Sequence, residues 1–292
     1  MDKRLKVYEL LVNRVPGIKE RYHKKRDNGG SRLIAWLCLI GLNISYYIFR
    51  NKKLKTYEKY PYYEEKLLPA DGRESLLSAG RTAADLAAAL SAYDVISFDV
   101  FDTLIFRPFS RPTDLFFVLG NELEYPDFRN IRIICEHQAR KKKNAAGQGS
   151  EVTIRDIYEE LDAETGIFSD APEVSYEKEL ELEYKFCFAN PYMLEVVREL
   201  KKLNKRLVIT SDMYLLRPHL EHILRNAGYP EFDEYYISCE CGRSKSTGDL
   251  YDIVKESEKA AACAADLKFA HVGDNRISDL KNAEAHGFTA FY

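Results

Sequence analysis

The chain lacks the closely spaced cysteine or histidine pairs of a zinc module: its 6 cysteines and 6 histidines are scattered, and only Cys239-Glu240-Cys241 is tight. Structural zinc sites need ligand pairs at recurrent spacing, so the thiols read as reduced and structural. His219 and His222, on one expected helix, read as surface residues rather than ligands. A run of about 20 apolar residues, the length that spans a bilayer as a helix, is also missing. The uncharged stretch Leu33 to Phe49 is shorter and carries Asn43 and Ser45. No simple cleaved leader is expected, because a long polar, partly acidic stretch precedes that apolar run. Basic charge is present without a stacking platform or a reading helix, which excludes a nucleic-acid module.

The overall formal charge of −3 hides an asymmetry. Residues 1–60 hold 15 Lys and Arg against 5 Asp and Glu, a formal +10, which leaves −13 for the remainder. Within this basic region, Leu33 to Phe49 lies between Arg32 and the run Arg50-Asn51-Lys52-Lys53. Three readings fit: a buried helix of a small helical domain, an interfacial helix with basic flanks on anionic lipid, and a spanning helix. Lys55 to Gly80 reads as a linker from its Tyr, Pro and Gly content. An Ala-rich helix is expected near Thr82 to Leu90.

What is present in force is a set of apolar β-type runs that end on chemistry. Val95-Ile-Ser-Phe-Asp99 delivers a carboxylate to a strand end, Leu207-Val-Ile-Thr210-Ser211-Asp212 a hydroxyl, and Phe269-Ala-His-Val-Gly273-Asp274 a second carboxylate. In an open parallel α/β sheet ligands bind beyond the carboxyl ends of the strands, so these residues converge on one crevice. Carboxylates gathered at one point repel unless a cation sits between them, and hard oxygen ligands suit magnesium. Lys245 offers a fixed positive charge for an anion, and Ser211 with the N–H groups behind it suits phosphate oxygens. Such an assembly fits phosphoryl transfer through an aspartyl-phosphate. Each residue also has a plainer reading: Asp99 as a turn residue, Lys245 as a solvated side chain, Ser211 as the cap of the helix holding Leu215 to Ala227, Asp279 as the cap of Leu280 to His286. Thr210 and Ser211 compete for the phosphate-contacting role, and Ser211 is preferred.

The four segments, in this order, resemble the haloacid dehalogenase (HAD) superfamily over roughly Asp94 to Tyr292. The resemblance implies a doubly wound, Rossmann-like parallel α/β sheet with an inserted helical cap, here carrying an N-terminal helical extension. It implies Asp99 as nucleophile, and magnesium held by Asp99, the Phe101 carbonyl and Asp274 with Asp279 in support. Thr103, Ser211, Asp212 and Lys245 form the expected phosphate-contacting set. One departure stands out: family phosphatases place a general acid two residues after the nucleophile, where this chain has Phe101. Asp102 follows, where a Gly is usual, and either it or a cap residue is the expected replacement. The dehalogenase branch tolerates an aromatic residue there but works without magnesium.

Ser97-Phe-Asp-Val-Phe-Asp-Thr-Leu104 with Arg107-Pro108, Ser211-Asp-Met-Tyr-Leu215 and Lys245-x-x-Gly248-x-Leu250-Tyr251 look like a bacterial HAD branch associated with surface-polysaccharide and glycosyltransferase genes. That likeness implies a cytoplasmic phosphatase of a sugar or polyol phosphate, with a glycosyltransferase as partner. Peripheral membrane contact through residues 32–53 accompanies the interfacial reading. The rival expectation is a catalytically weak module that binds a phosphorylated ligand and recruits polysaccharide enzymes; dehalogenation is the third.

Domain boundaries follow: 1–80 for the basic region and linker, 81–106 with 190–292 for the core, 107–189 for the cap. In the cap, Thr153-Ile-Arg-Asp156 has the form of a capping box, and Ile154, Ile157, Tyr158 and Leu161 share a helical face. Tyr176, Leu180, Tyr184 and Phe188 repeat that spacing. Arg140-Lys-Lys-Lys143 is read as a contact for an anionic substrate or as a solvated helix end, and Arg107 as a site residue or a salt bridge. In the core, Asn190-Pro191 starts a helix to Leu203, and alternating strands and helices run through Arg206–Thr210, Glu234–Ser238, Asp249–Ser257, Leu267–Val272, Ser278–His286 and Phe288–Phe291.

Overall fold

A computed structural model describes residues 7, 9–27, 32–55, 82–166 and 176–292. The expected linker therefore lies almost wholly outside the described residues. The chain divides into two units, Met1–Glu74 and Ser75–Tyr292.

In the first unit, helices Pro16–Asp27 and Arg32–Tyr47 enclose a small core of Val12, Val15, Ile18, Tyr22, Ala35, Leu39 and Leu54. Asn43, the polar interruption of the apolar run, has a structural use. Its amide donates to the Leu11 carbonyl at 3.0 Å and the Leu39 carbonyl at 2.9 Å. Ser45 accepts from Asn51 at 3.2 Å, which fixes the exit of the helix. Among the described residues no helix is long and apolar enough to cross a membrane. The buried-helix reading also fails for half of the helix, because one face is open (below).

The second unit is built on a parallel sheet in the order β5-β4-β1-β6-β7: β1 (Val95–Phe98), β4 (Arg206–Ser211), β5 (Glu234–Ile237), β6 (Phe269–Val272) and β7 (Thr289–Phe291). β1 is central and buried along its whole length. That burial is why Val95 to Phe98 reads as a continuous apolar run broken only by Ser97. Helices flank the sheet, as the α/β alternation requires. Asn190 caps Pro191–Lys202 by accepting from the N–H groups of Tyr192 and Met193, with Pro191 in the first turn where its missing N–H costs nothing. Thr82 closes a capping box on Ala83–Leu90, and Thr153 does the same on Ile154–Thr165.

A second, two-stranded antiparallel pair joins β2 (Ile105–Phe106) to β3 (Phe188–Ala189). It ties together the two ends of the segment that holds helices Asp114–Glu122, Phe128–Ala145, Ile154–Thr165 and Glu177–Phe186. Phe188, expected on the face of Glu177–Phe186, belongs to this strand instead. The helices share one continuous apolar cluster with the sheet: Leu119, Ile157 and Leu180 lie in the same core as Phe98 and Leu207.

Several expected boundaries shift. The helix after β4 is Arg217–Asn226 and has no side-chain cap, so Ser211, the last residue of β4, is not its cap. The helix expected to end at Ser257 runs on to Ala262. After β6, Asn275 caps a π-helical turn, Arg276–Lys281, by accepting from the N–H groups of Ile277 and Ser278. Asp279 therefore caps nothing and is buried.

Candidate active site

Asp99, Ser211 and the Gly273-Asp274 loop sit at the carboxyl edge of adjacent strands β1, β4 and β6, as the register of Phe98 opposite Ile209 and Val272 requires. Into this edge reaches Lys245, buried to 2 % exposure. Its Nζ lies 2.6 Å from Asp99 Oδ1 and 2.6 Å from Asp279 Oδ1. The lysine is thus a bridge between two buried carboxylates and not a solvated surface residue.

The loop that carries Lys245 is clamped from both sides. Asp212 accepts the backbone N–H groups of Lys245 (2.6 Å) and Ser246 (3.0 Å), and the Asn282 amide donates to the carbonyls of Lys245 (2.8 Å) and Ser246 (2.9 Å). Asp212 was expected to contact phosphate; its carboxylate instead holds the lysine loop, which suits an acceptor-only group better than facing an anion.

Beneath the lysine runs a polar chain inside the sheet. Asp279 Oδ1 faces His271 Nε2 at 3.2 Å, His271 Nδ1 faces Ser97 Oγ at 2.8 Å, and the Ser97 and Thr210 hydroxyls are 2.6 Å apart. Ser97, Thr210 and His271 are fully buried. A carboxylate opposite Nε2 requires a proton there, and burial lowers the His271 pKa, so the ring is neutral with its proton on Nε2. The Thr210 hydroxyl is engaged inside the sheet with Ser97, whereas Ser211, the last residue of β4, makes no such bond. The other Asp279 oxygen accepts the Asn275 N–H at 3.0 Å. Gly273 is needed for this approach, since a Cβ on it would lie 2.5 Å from the Asp279 Cβ and Cγ.

Sequence reading missed Ser97, His271 and Asn282. The available signal was a polar residue inside each of two strands that are otherwise apolar, at positions the parallel register sets side by side: Ser97 pairs with His271.

The electrostatics test whether a cation belongs here. Asp99, Asp274 and Asp279 each place a carboxylate oxygen within 4.8 Å of the others. Burial pushes the Asp99 carboxyl above its ordinary range, Lys245 pulls it down, and the Asp279 charge adds to the rise. For Asp279, burial acts upward but Lys245 and His271 outweigh it and hold the group well below the usual range. Burial acts to lower the Lys245 pKa, yet Asp99 and Asp279 prevail and keep it a charged ammonium. Asp274 is open to solvent on one side, but desolvation by its loop, followed by the charges of Asp99, Asp279 and Asp102, pushes it up to about 7. Among the described residues no donor reaches its carboxylate. One lysine thus faces three carboxylates, and the uncompensated charge lies around Asp274 and Asp99. A divalent cation with a preference for hard oxygens fits that deficit, and magnesium suits it.

The turn after Asp99 closes through Leu104 N–H and Ile105 N–H to the Val100 carbonyl, at 2.8 and 3.0 Å. Thr103 is buried and donates to Asp99 Oδ2 at 3.2 Å, which fixes the orientation of that carboxylate. Asp102 is exposed and takes a left-handed backbone, φ 59°, a conformation that glycine adopts without strain. Phe101 packs its ring under the Arg107 guanidinium, 3.9 Å from the ring centre, and Arg107 is paired with Glu183 at 2.6 and 2.8 Å. Arg107 is therefore a structural ion pair. In the run Arg140 to Lys143, Arg140 pairs with Glu136, Lys142 with Glu160 and Lys143 with Asp156, while Lys141 is exposed. His219 Nδ1 bonds the Tyr184 hydroxyl at 2.9 Å, and the His222 ring packs against the same tyrosine, tilted by 49°.

No protein-family profile and no curated protein matches the chain. Solved structures similar to it include the L-2-haloacid dehalogenase of Xanthobacter autotrophicus with chloropropionic acid covalently bound, at 15% identity over 67% of this chain and 75% of that one, TM-score 0.45. A HAD hydrolase of Bacillus subtilis bound to magnesium is 15% identical over 67% and 86% of the two chains, TM-score 0.44. A HAD-family enzyme of Bacteroides thetaiotaomicron in complex with magnesium and inorganic phosphate is 16% identical over 68% and 92%, TM-score 0.45. Likeness of this extent assigns no activity.

Proposed function

We propose that the chain is a magnesium-dependent phosphohydrolase that acts on a small phosphorylated metabolite through an aspartyl-phosphate on Asp99. The observation that carries this reading is the Lys245 ammonium set 2.6 Å from both Asp99 and Asp279, beside the unpartnered carboxylate of Asp274. Asp99, Asp274 and the Phe101 carbonyl would hold the magnesium, with Asp279 in support. The ion supplies positive charge against the phosphoryl oxygens and allows an anionic nucleophile to approach an anionic substrate.

The protein's own residues supply the remaining steps. Lys245 binds Asp99 Oδ1, Thr103 orients Oδ2, and Ser211 offers its hydroxyl to a phosphoryl oxygen. An Asp99 oxygen forms a bond to phosphorus as the bond to the leaving oxygen breaks; water then attacks the phosphoryl group, releasing inorganic phosphate and regenerating the carboxylate. The leaving oxygen needs a proton, and the position two residues after Asp99 holds an aromatic ring instead of an acid. Loss of a positioned acid costs about a hundredfold to ten-thousandfold. The reading therefore expects aryl phosphates, which leave without protonation, to turn over faster than alkyl phosphates, unless Asp102 supplies the proton. The resemblance of Ser97 to Leu104, Ser211 to Leu215 and Lys245 to Tyr251 to a polysaccharide-associated branch puts sugar and polyol phosphates, and a glycosyltransferase partner, first among the natural candidates.

The Phe101–Arg107 stack favours a second reading, a module that binds a phosphorylated ligand with little turnover. Initial rates on a panel of aryl, sugar and polyol phosphates with magnesium, alongside equilibrium binding of the same compounds, separate the two. Turnover on any member supports the phosphohydrolase; saturable binding with no phosphate released across the panel overturns it in favour of the binding module.

A further inference from the structure

The helix Arg32–Tyr47 turns one face inward onto the first unit's core, through Ala35, Leu39, Leu42 and Tyr46. Its other face is apolar and open. Leu33 is 71% exposed, Leu37 62%, Ile40 48%, Ile44 42% and Ile48 69%, positions that recur at helical spacing, with Ile34, Trp36 and Phe49 exposed beside them. From Leu33 to Ile48 the stripe is about 22 Å long at ~1.5 Å per residue. Contiguous apolar surface of this kind marks a contact site in a soluble unit.

Charge tells what covers it. Exposed Lys24 and Lys25 end the preceding helix, close in sequence to the start of the stripe, and exposed Arg50, Lys52, Lys53 and Lys55 follow its end. No ion pair joins any of these six to an acid among the described residues. The first 60 residues carry a formal +10. An apolar face bounded at both ends by unpaired cations matches the boundary of an anionic bilayer, where acyl chains take the side chains and headgroup phosphates take the ammonium groups. The helix is not long and apolar enough to span, so on a bilayer it would lie along the surface.

We infer that residues 33–55 form a peripheral membrane-docking surface for an anionic lipid bilayer, entered by the face of Leu33, Leu37, Ile40 and Ile44. The single tryptophan of the chain, Trp36, lies beside that face and reports on it directly.

The test is the tryptophan emission of the full-length protein titrated with phosphatidylcholine vesicles and with phosphatidylcholine–phosphatidylserine vesicles at low and high salt. A blue shift with the anionic vesicles that weakens as salt rises is expected. Lys52→Glu with Lys53→Glu should weaken that binding by roughly thirtyfold or more, since each basic residue near the surface contributes ~1 kcal/mol and the introduced carboxylates are repelled. Leu37→Glu with Ile40→Glu should abolish it; all four positions are exposed, so the fold tolerates the changes. Absence of a shift with anionic vesicles overturns the inference. So does an equal shift with neutral vesicles, or a shift that grows with protein concentration in the absence of lipid, which would assign the face to a second copy of the chain.

Discussion

Replacing Lys245 by Met keeps most of the side-chain volume and removes the charge. Asp99 and Asp279 are then two buried carboxylates with no cation between them, at 8 % and 2 % exposure. Removing one partner of a buried ion pair costs about 3–5 kcal/mol, because the remaining charge is left uncompensated. Here one ammonium serves two carboxylates, so the upper part of that range is expected. For a unit of this size about 1 kcal/mol moves the midpoint by ~2–4 °C, which places the Lys245→Met transition roughly 10–20 °C below wild type. The assay is thermal and urea unfolding followed by far-ultraviolet circular dichroism, in chelator so that no metal replaces the lost charge. Adding Asp279→Asn to Lys245→Met should restore at least about 1 kcal/mol, the signature of coupled sites. A loss below about 1 kcal/mol, or no recovery in the double variant, would refute the claim that Lys245 balances buried charge.

Further outcomes follow from the same contacts. Arg132 is fully buried and pairs with fully buried Glu179 at 2.9 and 3.0 Å, with the Tyr158 hydroxyl on the same carboxylate; Arg132→Ala should cost about 3–5 kcal/mol in urea unfolding. Gly273→Ala forces a Cβ against Asp279 and should cost about 1–3 kcal/mol and lower kcat, since the carboxylate that orients Lys245 must move. Phe101→Asp places a carboxyl where the acid is missing and should raise turnover of alkyl phosphates by about tenfold or more while changing aryl phosphate rates little. Magnesium at a hundred times Kd should stabilise the wild type by about 2.7 kcal/mol, raising the melting temperature by roughly 5–11 °C, and Asp274→Asn should remove that gain.

The parts of the site legible in the sequence were those set by local pattern. Apolar runs ending in Asp99, Ser211 and Asp274 announce strand ends, and parallel topology then brings those ends together. Asn190-Pro191 and Thr153 to Asp156 announce helix starts, and both starts formed as expected. What escaped depends on neighbours distant in the chain. Strand order, the β2–β3 pair at the base of the insertion, and the Ser97–His271 contact 174 residues apart are set by tertiary packing, which no local spacing encodes. The plainer reading of Asp279 as a helix cap fails, because Asn275 already serves that end and Asp279 is buried beside Lys245. The pairing of Lys142 and Lys143 was not legible in the charged run itself, because their acidic partners, Glu160 and Asp156, lie on the next helix.

The most direct test of the central claim is phosphate release from p-nitrophenyl phosphate by the wild-type chain with magnesium, by the same protein in chelator, and by Asp99→Asn with magnesium. The account predicts turnover only in the first; release that persists in chelator or in folded Asp99→Asn would contradict it.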